Sequence, residues 1–315
     1  MEKAVIAIHG GAGTISQQLS ADTARQYTQA LHDTLLAGQA VLAAGGSALD
    51  AVTEAVRLLE DNPLFNAGVG AVFTRDGTHE LDACIMDGRC LDAGAVAGVS
   101  HIRNPVLAAR QVLEHSPHVL LTGSGAEQFA RMRGLEMVES DFFSTPERAA
   151  QLRRARDAQQ IVLDHTDLKQ PPINPDTKYG TVGAVALDIH GNLAAATSTG
   201  GMTNKWPGRV GDSPLPGAGC YANNANVAVA CTGTGEVFIR MLAAYDIAAL
   251  MEYRGMSLPE AASRVVNDKL TALGGSGGLI AVDRDGHVTM PFNSEGMYRG
   301  YAWVGDAPSV GIWRE

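Results

Sequence analysis

The feature that most constrains this chain is an abrupt change of character at residue 180. The segment 168–180 is polar and contains three prolines, which is typical of an exposed linker open to cleavage. The next residues, 181–188, are mostly small or apolar and predict a buried strand. A turn at 190–192 and a second strand at 193–199 complete a hairpin. Hairpins pair antiparallel, which argues against a purely parallel, doubly wound sheet.

The remaining pattern mixes strands and helices. In the first half we expect a strand at 4–8 that runs into a glycine turn at 9–13, helices at 22–44, 47–60, 105–114 and 146–160, and strands within 80–99 and 118–121. Ser47 and Asn104 are the predicted N-caps. In the second half we expect a loop over 200–226, a strand at 227–231, a helix at 236–253, another from Ser257, and a hairpin of 279–283 with 287–291.

Composition restricts the class of protein. Lys and Arg number 24 against 34 Asp and Glu, and the net charge of −10 argues against nucleic-acid or anionic membrane partners. No run approaches the roughly 18 apolar residues of a membrane span, and the N-terminal apolar run is too short for a signal-peptide core. The four cysteines show no C-x-x-C spacing and predict free thiols. We therefore expect a soluble, cytoplasmic protein.

Glycine is in excess. The chain contains 36 glycines, whereas the usual fraction of about 7% would give about 22. Dinucleotide binding is poorly supported, because the turn at 9–13 lacks the third glycine of a G-x-G-x-x-G motif and the looser match at 217–222 follows prolines. Close approach of the backbone to a small ligand remains as the reason for the excess.

Thr181 is a candidate nucleophile because it directly follows the predicted linker. Cleavage after Gly180 would give Thr181 a free α-amine beside its hydroxyl, and such an amine has a pKa of about 7.7–8.0. An amine of this kind is a recognised base for a weak threonine nucleophile. Thr199 ends the second strand of the hairpin and is expected close to Thr181. Thr232 and Gly233 end another strand, where backbone N–H groups can face an oxyanion.

The loop at 207–212 carries one cation and one anion among glycines. Arg209 can grip a carboxylate in bidentate fashion, and Asp212 can accept from an ammonium group, so together they match the head of an α-amino acid. The alternative is that Arg209 and Asp212 pair with each other and only stabilise the loop.

Six motifs in order make the chain resemble the plant-type L-asparaginase and isoaspartyl peptidase family. They are His9-Gly-Gly-Ala-Gly13, Asn66-Ala-Gly68, Gly180-Thr-Val-Gly-Ala-Val-Ala186, Thr197-Ser-Thr-Gly-Gly-Met-Thr-Asn204, Pro207-Gly-Arg-Val-Gly-Asp-Ser-Pro214 and Cys231-Thr-Gly-Thr-Gly235. The resemblance implies an α+β fold, a four-layer αββα sandwich of the N-terminal nucleophile hydrolase type. It also implies one domain over 1–315 that cuts itself into an α subunit, 1–180, with a flexible linker at about 161–180, and a β subunit, 181–315. Two such pairs would associate.

The resemblance also implies roles for individual residues. Thr181 would be the nucleophile, Thr199 its orienting partner, Thr232 and Gly233 the oxyanion hole, and Asn66 an asparagine that faces the nucleophile. The implied substrate-binding residues are Arg209, Val210, Gly211, Asp212, Thr232, Gly233, Thr234 and Gly235. Catalysis would need no cofactor. A structural sodium ion would be held mainly by backbone carbonyls of Leu59, Glu60, Asn62, Phe65, Ala67 and Val69.

The implied reaction is hydrolysis of β-aspartyl dipeptides and of the side-chain amide of L-asparagine, with release of L-aspartate. Two alternatives remain open. One is a glycosylasparaginase-like amidase, and the other is an uncut, catalytically silent homologue that acts as a binding protein. Trp206 stands beside the substrate loop, at a position that varies in the family, and its effect on substrate access is open.

Overall fold

Two β-sheets form the framework of the protein, in a computed structural model that describes residues 4–13, 15, 19–164 and 180–314. The larger sheet has the strand order β12-β11-β1-β5-β6-β2-β3-β4, and the smaller has the order β10-β9-β8-β7. The strands are β1 Val5–Gly13, β2 Leu81–Asp87, β3 Asp92–Val99, β4 Leu120–Thr122, β5 Val182–Leu187, β6 Leu193–Thr199, β7 Cys220–Asn223, β8 Val227–Gly233, β9 Gly277–Asp283, β10 Val288–Thr289, β11 Gly296–Trp303 and β12 Ser309–Trp313.

Eight α-helices accompany these strands within the described residues. They are α1 Ala21–Ala43, α2 Ala48–Glu60, α3 Pro105–His115, α4 Gly123–Met132, α5 Pro146–Asp164, α6 Gly235–Met241, α7 Ala243–Arg254 and α8 Leu258–Ser263. A short 3₁₀ turn spans Ser140–Phe143, and a π-helix, Arg264–Leu270, continues α8. The mixture of helix and sheet agrees with the class that the sequence predicts. The described helices include none with the length and apolarity that a bilayer crossing requires.

Alternation along the central strands divides the interior into two cores. On β5, Val182, Ala184 and Ala186 face a core shared with α1, α2 and α3. The intervening Val185 and Leu187 face a second core, which is shared with the strands of the smaller sheet and with α7 and α8. The strands at the centre are therefore buried on both faces, which explains why residues 182–187 read as a continuous apolar run.

Backbone pairing brings three separated segments to one end of the larger sheet. β5 pairs antiparallel with β6, with Val182 opposite Ser198, and this register sets Thr181 beside Thr199 as the hairpin predicted. On its other edge β5 pairs with β1, and Gly183 lies opposite His9. The start of β5 is therefore fixed from both sides.

Several predicted boundaries are confirmed, and others are wrong. Ser47 caps α2, because its Oγ accepts from the Asp50 N–H at 3.1 Å. Asn104 holds the N-cap position of α3, yet it makes no side-chain cap and donates instead from Nδ2 to Asp61 Oδ1 at 3.2 Å. The predicted linker begins at about residue 161, whereas α5 continues to Asp164. Residues 165–179, which contain the rest of that predicted linker, lie outside the described residues.

Three corrections concern the second half of the chain. The predicted loop over 200–226 contains β7, which forms because its backbone pairs with β8. Strands β11 and β12 were not predicted, and β11 pairs with β1 through the backbone. The single helix predicted over 236–253 is two helices, α6 and α7, with Leu242 in the left-handed region between them at φ 50°. Tertiary contacts redirect the chain there, because the Ala244 and Tyr245 N–H groups donate to the carbonyls of Ala218 and Gly217.

The left-handed Leu242 leads to a stability prediction. An L-residue in this conformation costs roughly 1–2 kcal/mol, and the greater freedom of glycine in the unfolded chain offsets only part of that cost. We expect Leu242→Gly to raise the free energy of unfolding by about 0.5–1 kcal/mol, measured by urea denaturation. Leu273→Gly is the matched control, because both leucines are 49% exposed and Leu273 has no positive φ. Equal destabilisation by the two changes would contradict the account.

Candidate active site

A small cavity opens at the end of the β5–β6 hairpin. Seven of the residues singled out in the sequence line it: Gly180, Thr181, Thr199, Arg209, Gly211, Asp212 and Gly233. Gly201, Met202 and Ser213 complete the lining, and the sequence analysis assigned none of these three a role. The fold thus brings together residues from both sides of the Gly180–Thr181 bond and from three later segments.

Thr181 presents its hydroxyl in this cavity while remaining almost completely buried, with 7% of the residue exposed. Its Oγ1 lies 3.1 Å from Ser213 Oγ. Ser213 was not singled out as a functional residue, although it lies inside a motif and directly follows Asp212. Gly180 is held close to Asn66, because a Cβ at residue 180 would lie only 2.7 Å from Asn66 Cβ. A glycine is therefore required immediately before the threonine.

Thr199 and Asn66 support the floor of the cavity through backbone contacts. Thr199 Oγ1 accepts from the Gly201 N–H at 2.9 Å. Asn66 donates from Nδ2 to the Gly201 carbonyl at 2.7 Å, and its Oδ1 accepts from the Val72 N–H at 2.9 Å. Both side chains thus fix the bend at Gly201, which has a φ of 81°.

The residues at the end of β8 divide between the cavity and the interior. Gly233 lines the cavity at φ 148°, whereas Thr232 is fully buried behind it. Thr232 Oγ1 accepts from the Ala12 N–H at 3.3 Å, which links β8 to the glycine turn of β1. Thr234 Oγ1 instead donates to the Ser276 carbonyl at 3.2 Å. Val210, like Thr232 and Thr234, is not among the residues that line the cavity.

Arg209 is positioned by a carboxylate from another element. Its Nε donates to Glu236 Oε1 at 2.9 Å, and the side chain is only 16% exposed. Three glycines surround the rest of the guanidinium: Cβ atoms at Gly201, Gly211 and Gly235 would lie 3.4, 2.9 and 2.9 Å from its Nη atoms. The partner of Arg209 within the described residues is Glu236, so the Arg209–Asp212 pair considered from the sequence does not form. Glu236 was missed because no motif connected it to Arg209.

Asp212 is a buried carboxylate that lacks a full set of partners. It is 3% exposed, and its Oδ2 makes no hydrogen bond within the described part of the chain. Burial raises the pKa of Asp212 to about 7, an effect that its own backbone N–H and the charge of Arg209 oppose only in part. A buried anion without a partner is unfavourable, and a bound ammonium group would relieve that cost.

His9 lies beside the start of β5, and its imidazole is uncharged at neutral pH. It is completely buried, and neither ring nitrogen has a hydrogen-bond partner among the described residues. Burial lowers the pKa of His9 to about 3, with the Thr181 backbone opposing the shift. The imidazole occupies the space where a Cβ of Gly183 would lie, so the contact between β1 and β5 there requires that glycine.

The loop at 59–69 has the carbonyl groups that a hard cation prefers. The carbonyls of Glu60 and Asn62 accept from the N–H groups of Val69 at 2.8 Å and Phe65 at 3.2 Å. Those of Phe65, Ala67 and Val69 accept no hydrogen bond from the described residues. The Glu60 side chain contributes little charge, because burial raises its pKa to about 8. This donor set fits a monovalent cation held mainly by neutral oxygens.

The raised pKa of Asp212 predicts a pH-dependent effect of its removal. The folded chain retains the Asp212 proton up to about pH 7, whereas an unfolded aspartate loses it near 3.8. Stability of the native protein therefore falls as pH rises through this window. We expect Asp212→Asn, which carries no charge, to gain about 2–3 kcal/mol relative to the native protein between pH 5 and pH 8.

Urea denaturation at the two pH values measures this gain. Asp246→Asn is the control, because Asp246 already accepts from Lys269 Nζ at 2.6 Å and should gain nothing at high pH. A pH-independent difference between native protein and Asp212→Asn would show that Asp212 is ionised throughout.

Comparison with known proteins identifies the family of the chain. The family described as asparaginase matches residues 2–312. An isoaspartyl peptidase of Salmonella typhimurium is 67% identical over the full length of both chains, and one of Escherichia coli is 67% identical over all of this chain and 98% of its own. A putative isoaspartyl peptidase/L-asparaginase of Dictyostelium discoideum is 54% identical over 96% of this chain and 94% of its own. The family that the six motifs indicated is confirmed, and the chain is a hydrolase that belongs to the asparaginase family.

Proposed function

We propose that this protein is an isoaspartyl peptidase and L-asparaginase that cuts itself between Gly180 and Thr181 and then uses Thr181 as its nucleophile. The observation that carries the proposal is the cavity itself. It places the Thr181 hydroxyl with a glycine-flanked guanidinium at Arg209 and a buried, incompletely paired carboxylate at Asp212. The relatives named isoaspartyl peptidase and putative isoaspartyl peptidase/L-asparaginase support the same substrate class.

Maturation comes first. Thr181 Oγ1 attacks the Gly180 carbonyl carbon, and the hydroxyl proton passes to the amide nitrogen as the C–N bond breaks. An ester then joins Gly180 to the threonine oxygen, and the nitrogen has become the Thr181 α-amine. Water then hydrolyses the ester, leaving a carboxylate on Gly180 and restoring the Thr181 hydroxyl. Ser213 Oγ, 3.1 Å from Thr181 Oγ1, is placed to hold the attacking hydroxyl in one orientation. The products are an α subunit, 1–180, and a β subunit, 181–315.

Substrate recognition uses the charges that the cavity keeps available. Asparagine and β-aspartyl dipeptides present the same free α-carboxylate and α-ammonium groups. Arg209 takes the carboxylate through its Nη atoms, since Glu236 occupies Nε. Asp212 takes the ammonium group and ionises fully when the cation arrives, because an opposite charge favours the carboxylate form. Gly211 and Gly235 leave room for the guanidinium of Arg209, and Val210 belongs to the same substrate loop.

Hydrolysis then follows the pattern of an N-terminal nucleophile. The Thr181 α-amine accepts the hydroxyl proton while Oγ1 attacks the side-chain carbonyl, and the same proton passes to the departing amine or ammonia. Water releases L-aspartate from the resulting ester. Thr199 and Asn66 keep the bend at Gly201 in place. Gly233, which lines the cavity, forms the oxyanion hole, and Thr232 behind it and Thr234 at the start of α6 hold the end of β8 in position. This scheme uses no cofactor.

The wider architecture belongs to the same proposal. The packing of α1–α3 on one sheet, the contact between the sheets and the packing of α7 and α8 support a four-layer αββα sandwich formed by one domain. The carbonyls of the loop at 59–69 would hold a structural sodium ion, which fixes that loop and takes no part in the reaction. The four free cysteines support a cytoplasmic setting, with the α and β subunits assembled as a dimer of pairs.

Removal of the Thr181 hydroxyl tests the role of the nucleophile. We expect Thr181→Ala to give one uncut band of 33 kDa in a denaturing gel, whereas the native protein gives pieces of 180 and 135 residues. Ammonia release from asparagine should be abolished. Thr28→Ala, which removes a hydroxyl that only bonds within α1, should be cut and active. A Thr181→Ala chain that still splits after Gly180 would rule out this nucleophile, and an uncut, inactive native protein would favour the silent homologue.

Removal of the Arg209 guanidinium tests substrate recognition separately. We expect Arg209→Ala to be cut normally but to lose about 100-fold or more in kcat/KM for both asparagine and β-aspartyl dipeptides. The loss should fall mainly on KM, and exposed Arg254→Ala should be unaffected. An unchanged kcat/KM in Arg209→Ala would assign Arg209 to loop stability. Comparison with an N-glycosylated asparagine as substrate distinguishes the glycosylasparaginase alternative.

A further inference from the structure

We propose that a second cavity, on the other side of Gly180 from the Thr181 cavity, receives the Gly180 carboxylate that self-cleavage creates. The inference rests on the proposed cleavage of the Gly180–Thr181 bond. It assigns a binding site and a ligand to Arg148 and Tyr298, two buried residues that the reaction described above does not use.

The second cavity is small and lies at the glycine turn of β1. Gly180 lines it as well as the Thr181 cavity, so the two spaces share the residue that precedes the scissile bond. Tyr27, Arg148 and Tyr298 supply its polar side chains together with Asn66. A group attached to Gly180 therefore needs only a local shift to pass from one cavity to the other.

Arg148 provides a buried cation that donates no hydrogen bond to a carboxylate among the described residues, although the charge of exposed Glu147 acts on it. It is 8% exposed, and its Nε and Nη1 donate to the Gly70 carbonyl at 2.7 Å and to Gln151 Oε1 at 3.1 Å. Both acceptors are neutral, and no hydrogen bond from Nη2 is found within the described residues. Arg148 takes part in none of the ion pairs found among the described residues. A buried guanidinium in this state is unfavourable until an anion reaches it.

Tyr298 adds a second buried donor. The residue is 5% exposed, and its hydroxyl meets no acceptor with hydrogen-bond geometry within the described residues, although the Tyr27 hydroxyl lies close enough to interact with it. Its ring stacks on Tyr27 with 4.1 Å between the centroids, whereas the Tyr27 hydroxyl is occupied by the Leu64 carbonyl at 3.1 Å. Burial raises the pKa of Tyr298, so its hydroxyl keeps the proton that it can donate. Both tyrosines are near enough to Arg148 for their charges to interact.

A carboxylate matches these donors in charge and in hydrogen-bonding capacity. Guanidinium and carboxylate groups form charge-assisted hydrogen bonds, and a tyrosine hydroxyl can donate to the same anion. Before cleavage the Gly180 carbonyl belongs to a neutral amide and offers no negative charge. Hydrolysis of the ester adds one oxygen from water and leaves an anion on Gly180, at the wall of a cavity that contains an unpaired cation. The cation of Arg148 is therefore already in place when cleavage creates the carboxylate on Gly180.

Capture of this carboxylate would have two effects on the enzyme. It would separate the product anion from the Thr181 hydroxyl, so that the ester cannot readily re-form. It would also keep that anion away from Arg209, which has to receive the carboxylate of each substrate. Arg148 and Tyr298 act in this scheme as positioning residues, since neither touches the substrate.

Digestion of the mature protein with a carboxypeptidase tests the proposal. Intact mass spectrometry first confirms an α subunit that ends at Gly180 and a β subunit that begins at Thr181, and then follows the loss of Gly180 with time. We expect Gly180 to be removed about tenfold or more faster in Arg148→Met and in Tyr298→Phe than in the native enzyme, because bound ends open rarely. Arg153→Met, a change of an exposed arginine on the same helix, should match the native rate.

The outcomes separate the two proposals. Equal removal of Gly180 from the native enzyme, Arg148→Met and Tyr298→Phe would overturn the carboxylate site while leaving the proposed function intact. So would a freshly cut native α subunit that already ends before Gly180. Absence of a Thr181 N-terminus in the native protein would overturn the proposed function and this inference with it. Tyr298→Phe removes only one oxygen, and retained hydrolysis of asparagine shows that each variant is folded.

Discussion

The antiparallel pairing of β5 on both edges is the constraint on which the site depends. β6 fixes one side of the strand and β1 the other, so the residue before Val182 has a single position relative to both neighbours. Backbone hydrogen bonds set this register, and a slip by one residue would exchange the two faces of β5 between the two cores. The position of a small hydroxyl is thereby set by the packing of much of the protein.

Glycines around this strand allow neighbouring side chains to lie close to the backbone. Gly183 admits the imidazole of His9, Gly180 lies against Asn66, and Gly211 and Gly235 admit the guanidinium of Arg209. In each case a methyl group would occupy space that a neighbouring group already fills. The excess of glycine in the sequence is explained in part by these contacts, which allow charged and polar groups to be buried next to the backbone without a side chain between them.

Most residues that line the Thr181 cavity could be predicted from the sequence, because they lie in short motifs whose strand ends can be predicted. The hairpin brought Thr181 and Thr199 together through a local turn, which needs no knowledge of the rest of the fold. Glu236, Ser213 and Tyr298 were missed for a different reason. Their contacts join segments that are distant in sequence or depend on the path of a loop, and no periodicity encodes such contacts. The break at Leu242 was missed likewise, since carbonyls from residues 217 and 218 redirect the helix.

The order of strands in the larger sheet has a consequence for the life of the molecule. Strands from before and after residue 180 alternate across it: β12 and β11, then β1, then β5 and β6, then β2 to β4. Two pieces produced by a cut at this point are interwoven, and neither can leave without dismantling the sheet of the other. The strand pairing forms during folding, while the chain is continuous and its segments are tethered. After the cut, the two unfolded pieces would have to find each other by diffusion. The mature protein would therefore unfold slowly but refold inefficiently.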